Sequence, residues 1–306
     1  MHYFLVNLSS ASGMSKHIWN DIEKYLKEKG CDYKLYVTEY ENHATEIVRQ
    51  IENECKEEKI KLVVIGGDGT FNEVINAVSD FKRFSFGLIP AGSGNDLARG
   101  LGISKNHMEN IKNIFENDKT RYCDAGRIVF PDEKCKMFAI SCGMGLDAEV
   151  CYFAITSKIK TILNKFKIGS FTYIVLTVLR LFSMRTVDAK IRFDDKVYEF
   201  KDMIFTAGMN HKCEGGGVPM APGADYNDGK LDFTTANNIS RPRALFSLGF
   251  LSAGKAEHIK GICTNTFKKA DIILAKPMIF HTDGEYVGTY DKASVTCCKD
   301  LLEFIN

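Results

Sequence analysis

The chain has 306 residues, of which 45% are hydrophobic and 26% are charged, a globular composition that excludes a largely disordered or collagen-like protein. Its length predicts two domains of about 100 to 200 residues each. Forty Lys and Arg against 39 Asp and Glu give a net charge of +1. Because no net field attracts nucleic acid or an anionic membrane, any such contact must come from a local patch, and we expect no nucleic-acid partner.

The ten cysteines form no C-x-x-C pair, and free thiols in a reducing cytosol are their expected state. Residues 1–7 are too short for a signal peptide and lack its basic flank. The longest apolar stretch, 171–179, falls far short of the roughly 20 residues that span a bilayer. These features predict a soluble, cytoplasmic protein.

Strand and helix signals alternate at the start of the chain. Apolar runs predict strands over 3–6, 34–38 and 62–65. Apolar residues at helical spacing predict one helix that stops at Gly30 and another over 43–59. The alternation predicts a doubly wound, Rossmann-like α/β domain whose ligand site lies at the carboxyl ends of its parallel strands.

Short strand signals separated by Gly, Pro and Asp replace this pattern from about residue 125. They predict a mainly antiparallel β-sandwich domain, interrupted by a helical insertion from about 147 to 184. The predicted strands cover 138–142, 189–193, 203–207, 231–235, 271–274 and 294–297. We therefore place the domains at 1–125 and 126–306, with a last strand that can return to the first domain.

A glycine-rich turn follows the strand at 62–65 and leads into a helix. It consists of Gly66, Gly67, Asp68, Gly69, Thr70, Phe71, Asn72 and Glu73. Glycines at such a turn let backbone N–H groups approach an anion, and the helix N-terminus adds positive charge, so we predict a phosphate loop. Thr70 and Glu73 also have the spacing of a helix capping box. Asp68 beside an anion requires a divalent cation or a substrate proton between the two charges.

A second turn of the same kind follows the next apolar run. It consists of Pro90, Ala91, Gly92, Ser93, Gly94, Asn95 and Asp96. Ser93 or Asn95 can cap the helix that comes next. Because both turns lie at strand carboxyl ends, we expect them to line one crevice.

These two turns resemble those of the diacylglycerol kinase catalytic family, which are bacterial soluble lipid kinases related to sphingosine kinases and more distantly to NAD kinases. Many members have Gly-Thr where this chain has Gly92 and Ser93, and Ser keeps the hydroxyl. Leu8 stands where the family usually has Pro. Further matches cover nearly the whole chain: Asn7, Ser12, Gly13, Thr38, Asp124, Gly215, Gly216, Gly217, Ala221, Pro222, residues 225–232, Asp283, Gly284 and Glu285.

The resemblance implies an ATP site between the domains, with Mg²⁺ as the metal. The implied nucleotide-binding residues are Asn7, Ser12, Thr38, the eight residues of the first turn, Ser93, Asn95 and Asp96. Asp68, Asp96 and Asp124 would shape the magnesium and water network, and Asp68 and Asp124 are also expected to be catalytic. Phosphoryl transfer needs mainly positioning and charge neutralisation, which such a site supplies.

Two acidic turns follow in the second half. Asp283 and Glu285 flank Gly284, and one of them can act as general base on the acceptor hydroxyl. Asp-Gly is also an ordinary hairpin turn, but the resemblance favours catalysis and leaves the choice of base open. Asp225, Asp228 and the carbonyl of Lys230 offer ligands to Mg²⁺ or Ca²⁺, as the resemblance implies, although a plain Asp-Gly turn explains their spacing equally well.

The insertion, Cys213 and residues 249–256 each carry a further signal. Lysines and apolar residues over 158–167 favour either membrane contact that admits lipid to the cleft or a solvated basic face. Cys213 is expected to be a packing residue. Residues 249–256 have Walker A spacing, but Ala256 lacks the magnesium-binding hydroxyl and the preceding residues look helical, so we predict no P-loop.

The predicted function is an ATP- and Mg²⁺-dependent lipid kinase that converts diacylglycerol, or a related lipid, to phosphatidic acid in phospholipid metabolism. We expect it in the cytoplasm with transient, peripheral contact to a membrane surface, and the resemblance suggests a homodimer. One alternative is a kinase of NAD kinase type with a soluble acceptor. Another is a non-catalytic lipid-binding protein of the same fold.

Overall fold

A parallel sheet forms the first half of the protein. The computed structural model describes residues 1–117, 119–156, 172–255 and 259–305. Its first strands are β1 (His2–Val6), β2 (Tyr33–Val37), β3 (Ile60–Gly66) and β4 (Phe84–Pro90), in the spatial order β2-β1-β3-β4. The helices between and after them are α1 (Met14–Glu28), α2 (His43–Glu54), α3 (Asp68–Ile75), α4 (Asp96–Gly100) and α5 (His107–Glu116).

Helices cover both faces of this sheet, as the alternating pattern predicts. Ile18, Trp19 and Ile22 of α1 pack with α5 on one face, while α2 and α3 pack on the other. β3 is buried over nearly its whole length because both of its faces are covered. The carboxyl ends of the parallel neighbours β3 and β4 therefore lie side by side at one edge of the sheet, where a ligand crevice is expected.

Antiparallel strands build most of the second half. They are β5 (Thr120–Val129), β6 (Cys135–Phe138), β7 (Ser141–Gly145), β8 (Val187–Phe193), β9 (Lys196–Met203), β10 (Phe205–Met209), β11 (Leu231–Ala236), β12 (Ile262–Phe267), β13 (Lys269–Thr282) and β14 (Glu285–Ile305). The helices are α6 (Leu146–Thr156), α7 (Thr172–Ser183) and α8 (Arg241–Ser252). The helical insertion thus contributes α6 and α7, whereas the predicted basic segment 158–167 lies outside the described residues. α8 covers the residues before Gly254, as expected for a segment that is not a P-loop.

The long strand β14 joins the two halves. It forms a hairpin with β13, pairs antiparallel with β5, and near its end pairs in parallel with β4 through Phe304 and Phe86. Strands of both halves therefore belong to one hydrogen-bonded sheet within the described residues. None of the described helices is long and apolar enough to cross a membrane.

Several predicted elements have different limits in the structure; the strands expected over 271–274 and 294–297, for example, are parts of the longer β13 and β14. α2 ends at Glu54 and not at residue 59, because Cys55 adopts an extended conformation. The single strand expected over 138–142 is two strands, because the N–H groups of Ala139 and Ile140 donate to the Asp283 carboxylate and not to a neighbouring strand. The run 203–207 is likewise divided between β9 and β10 at Ile204.

Candidate functional site

The two glycine turns meet backbone to backbone at the carboxyl ends of β3 and β4. The N–H of Ala91 donates to the carbonyl oxygen of Gly66 at 2.8 Å. A methyl group at Gly92 would lie 2.5 Å from the Cα of Gly67. Glycine is required at this crossing because any side chain would push the turns apart.

Asp68 joins the first turn to the helix that follows the second. Its carboxylate accepts hydrogen bonds from the N–H groups of Asp96, at 2.9 Å, and Leu97, at 3.2 Å, and so caps α4. The predicted capping by Ser93 or Asn95 is wrong: the Asn95 side chain instead closes the second turn through two hydrogen bonds with Gly92. Burial raises the pKa of Asp68 to about 6, although the two N–H donors oppose the shift.

The capping box predicted for Thr70 and Glu73 is also wrong. Gly67 occupies the N-cap position of α3. Thr70 and Glu73 are residues within the helix, and their side chains contact other elements. The Thr70 hydroxyl accepts a hydrogen bond from Asn7 Nδ2 at 3.0 Å, which connects the opening loop to the first turn. Glu73 accepts from the N–H of Ala44 at 3.2 Å and thereby caps α2.

Asp96 connects the second turn to the other half of the protein. Its carboxylate pairs with Arg99 and accepts a hydrogen bond from the N–H of Gly216 at 2.7 Å. Arg99 also donates to the carbonyl oxygen of Gly94 at 3.0 Å. The glycine loop at 215–217 therefore reaches the second glycine turn through its backbone.

The Asp283 carboxylate is fully engaged in hydrogen bonds. It accepts one from the side chain of Asn72 in α3, at 2.8 Å. The other three come from consecutive backbone N–H groups at 2.8 to 3.0 Å: Ala139, Ile140 and Ser141. Burial raises the pKa of Asp283 while these donors oppose the rise. Asp283 thus fastens the turn between β13 and β14 to α3 of the first half.

Glu285 extends from the same turn toward the first glycine turn. A methyl group at Gly69 would lie 2.6 Å from Glu285 Oε1, so the glycine leaves room for this carboxylate. Glu285 is exposed, whereas Asp283 is half-buried. Of the two acids in this turn, Glu285 is the one that faces the crevice.

Comparison with known proteins identifies the architecture. Residues 2–128 match the diacylglycerol kinase catalytic domain, and residues 142–304 match the YegS C-terminal NAD kinase beta sandwich-like domain. The diacylglycerol kinase of Staphylococcus saprophyticus subsp. saprophyticus is 30% identical over 291 residues, covering 93% of this chain and 88% of that protein. This chain belongs to the diacylglycerol kinase family. YtlR of Bacillus subtilis (strain 168), a candidate lipid kinase, is 29% identical over 94% of both chains.

Solved structures share the fold of this kinase. A candidate diacylglycerol kinase from Bacillus anthracis str. Sterne aligns with a TM-score of 0.77 and 22% identity over 99% of this chain and 96% of its own. An NAD kinase from Archaeoglobus fulgidus in complex with ATP aligns with a TM-score of 0.54 and 13% identity over 100% and 94%. The expected family and the two-domain α/β plus β-sandwich architecture are thereby confirmed.

Asp124 of the kinase lies in a cluster separate from Asp68 and Asp96. It is fully buried, and its carboxylate accepts from the N–H groups of Gly229, at 2.6 Å, and Asp300, at 2.7 Å. Asp300 belongs to a bulge in β14, where the register against β5 shifts. No described hydrogen bond joins Asp124 to either aspartate of the glycine turns, and its expected catalytic role stays a prediction.

The predicted metal loop packs against Asp124. Asp225 and Asp228 are exposed, and each accepts a hydrogen bond from the N–H two residues ahead, those of Asn227 and Lys230. These are Asx turns, in which the second carboxylate oxygen of each aspartate stays available. Metal binding by Asp225, Asp228 and the Lys230 carbonyl stays a prediction.

The remaining predicted nucleotide residues differ in what they offer the crevice. Thr38 is half-buried and donates its N–H to the carbonyl oxygen of Val6 at 3.0 Å, and Ser93 is exposed. Phe71 packs in the core against Phe86, so only its backbone faces the first turn. The side chain of Ser12 lies outside the described residues.

A buried polar cluster behind the 283–285 turn was not found by sequence reasoning. His281 pairs with Asp147 through Nε2, and its Nδ1 accepts from the N–H of Gly284 at 3.1 Å. Ligand atoms of these two residues and Cys151 lie within 4.8 Å of one another. Glu214 is 8% exposed, and neither of its carboxyl oxygens has a described hydrogen-bond partner. Burial, with help from the Asp147 carboxylate, raises the pKa of Glu214 to about 8. Only the position of His281 two residues before Asp283 hinted at this cluster.

Proposed function

We propose that this kinase transfers the γ-phosphate of ATP, with Mg²⁺, to the hydroxyl of diacylglycerol or a closely related lipid. The observation that carries the proposal is the crossing of Gly67 and Gly92, with the Glu285 carboxylate above Gly69. This arrangement brings anion-binding backbone and an acceptor-side acid into one crevice. The family resemblance supplies the lipid class.

The nucleotide phosphates fit over the two glycine turns. The N-terminus of α3 and the backbone N–H groups of both turns attract negative charge there. Asn7, held against Thr70, and Thr38, at the end of β2, lie on the side of the crevice that the rest of the nucleotide would occupy. The related NAD kinase that binds ATP supports the choice of nucleotide.

Asp68 and Asp96 are the residues that fit Mg²⁺ at this site. Their carboxylates lie at the meeting point of the two turns, and each carboxylate oxygen retains a lone pair beyond its described hydrogen bond. Hard oxygen ligands of this kind suit Mg²⁺, which neutralises charge on the transferring phosphoryl group when it is bound. Asp68 has a raised pKa of about 6, and a cation bound beside it would favour its ionised form.

Glu285 is the proposed general base, and Asp283 positions it. The base takes the proton of the acceptor hydroxyl while the oxygen of that hydroxyl forms a bond to the γ-phosphorus. The bond from that phosphorus to the bridging oxygen breaks, and ADP leaves with the electron pair. Asp283 is poorly suited to this step because four donors already occupy its oxygens.

An apolar cavity in the second half is the proposed entry point for the acyl chains of the lipid. A cavity of about 30 Å³ lies between α7, α8 and the sheet. Its lining is almost entirely apolar: Leu146, Leu181, Ile204, Phe205, Ala236, Ile239, Ala244, Ser247, Leu248, Leu251 and Ile262. This volume is far too small for an acyl chain, so α7 and α8 must separate for a chain to enter. The enzyme would work in the cytoplasm at a membrane surface, as a homodimer, in phospholipid metabolism.

Transfer of radiolabelled γ-phosphate tests the proposal. Wild-type protein with ATP and Mg²⁺ is offered a panel of micellar lipids, with NAD as the soluble alternative. We expect label on diacylglycerol, and loss of at least 100-fold in kcat for both Asp68→Asn and Glu285→Gln. Label on NAD alone would refute the lipid assignment. A Glu285→Gln enzyme with unchanged kcat would move the role of base to Asp283.

A further inference from the structure

Two helices of the second half expose large apolar side chains side by side. α7 exposes Ile174 by 59%, Leu179 by 51% and Phe182 by 54%. α8 exposes Phe246 by 73% and Phe250 by 42%. We call these five residues the α7–α8 face.

The α7–α8 face is the outward side of helices whose inward side is already packed. Leu176 and Leu181 of α7 and Leu251 of α8 are buried in the core of the second half. Leu179 and Phe182 are three residues apart in α7, and Phe246 and Phe250 are four residues apart in α8, so each pair lies on one side of its helix. The apolar groups on the outward side are therefore in excess of what the fold needs.

A hydrogen bond holds the two helices together. Arg241, at the start of α8, donates through Nη2 to the carbonyl oxygen of Met184, just after α7, at 2.8 Å. Residues of both helices also line the same apolar cavity. The two helices are therefore neighbours, and the cavity lies between them.

Over residues 172–187 and 236–255, the described charged side chains are all basic. Neither α7 nor α8 contains an Asp or a Glu. Arg180 is turned inward, where it pairs with Glu149 at 2.7 Å. The exposed charges next to the face are Arg185 after α7, Arg243 in α8 and Lys255 after α8. An apolar surface with these exposed basic residues beside it is complementary to the interface of an anionic bilayer.

We propose that the α7–α8 face inserts into the headgroup region of an anionic membrane. Phe246 and Phe250 enter the boundary between headgroups and acyl chains, while Arg243 pairs with lipid phosphate. This places the cavity between α7 and α8 against the bilayer, so that lipid passes into it without crossing water. The inference rests on the proposed lipid-kinase function for its purpose, but vesicle binding is measurable without turnover.

Vesicle co-sedimentation tests the face directly. The full chain is mixed with vesicles of phosphatidylcholine alone or with 30 mol% (about one lipid in three) phosphatidylglycerol. We expect the double variant Phe246→Ser/Phe250→Ser to bind anionic vesicles at least about tenfold more weakly, since burial of one Phe is worth about that factor. Arg243→Glu should lose the preference for anionic vesicles. Leu35→Ser, at an exposed leucine of the edge strand β2, is the matched control and should bind like the wild type.

Turnover on two substrate forms separates this inference from the proposed function. The double variant should lose at least about tenfold in activity on diacylglycerol in vesicles, and should keep wild-type activity on a short-chain diacylglycerol in solution. Unchanged vesicle binding by the double variant would overturn the inference, even if the enzyme is a lipid kinase. A change in oligomeric state with unchanged vesicle binding would show that the face joins two copies of the chain.

Discussion

Replacing Asp283 by Ala should destabilise the whole protein and not only inactivate it. The carboxylate accepts four hydrogen bonds, from the Asn72 side chain and from the N–H groups of residues 139–141. Each donor left unpaired costs about 1 to 2 kcal/mol, which gives roughly 4 to 8 kcal/mol for the four. Asp283 also has a φ of 49°, a conformation that costs Ala roughly 1 kcal/mol more.

Removal of the buried carboxylate also removes its desolvation cost, so the lower end of that range, about 4 kcal/mol, is the expected loss. Domains of ordinary stability have about 5 to 15 kcal/mol in total, so the variant should unfold at a much lower urea concentration. Far-UV circular dichroism reports all strands, and the fluorescence of Trp19, the protein's one tryptophan, reports the first half.

The two signals should also separate in the Asp283→Ala variant, because Asp283 fastens the β13–β14 turn to α3. Glu285→Ala is the matched control in the same turn and should stay within about 0.5 kcal/mol of the wild type. An Asp283→Ala protein with the urea midpoint of the wild type would refute this structural role of Asp283.

Two further predictions concern the crevice and the buried cluster. Gly92→Ala should weaken ATP binding at least about tenfold, measured by calorimetry, because its methyl group would collide with Gly67. The control Gly223→Ala should bind ATP normally, since Gly223 has open space around it. Equal ATP affinities of the two variants would contradict the backbone crossing. The raised pKa of Glu214, about 8 against 4.5 unfolded, means that the folded state holds a proton which the unfolded chain has released, so its contribution to stability falls as pH rises from about 4.5 to about 8. In urea unfolding across that pH range, the free energy of unfolding should therefore fall less steeply with pH for Glu214→Gln than for the wild type. Equal slopes would exclude Glu214 as a cause of the pH dependence.

Local signals in the sequence were enough to predict the glycine turns and the elements around them. Gly66 and Gly92 follow apolar strands, and the conformations that glycine allows there depend on neighbours in the chain. The parallel order of the first half also followed from alternation, since strand and helix periodicities differ within a few residues.

Side-chain partners across the fold could not be predicted in the same way. Sequence spacing assigned Thr70 and Glu73 to a cap of their own helix, yet they bind Asn7 and Ala44. Asp124 was grouped with Asp68 by resemblance, but the tertiary structure places it against the bulge at Asp300. A hydrogen-bonding group takes whichever buried donor lies nearest in space, and that distance is unrelated to separation along the chain.

The sequence by itself determined the family, the order of elements and the two glycine turns of this protein. Each of these depends on short-range pattern. Only the tertiary structure decided that Asp283 is tied by four donors while Glu285 faces the crevice, and that α7 and α8 leave their apolar sides uncovered. Burial and hydrogen bonding are properties of the packed chain, so two acids two residues apart acquire different chemistry only when the sheet closes around one of them.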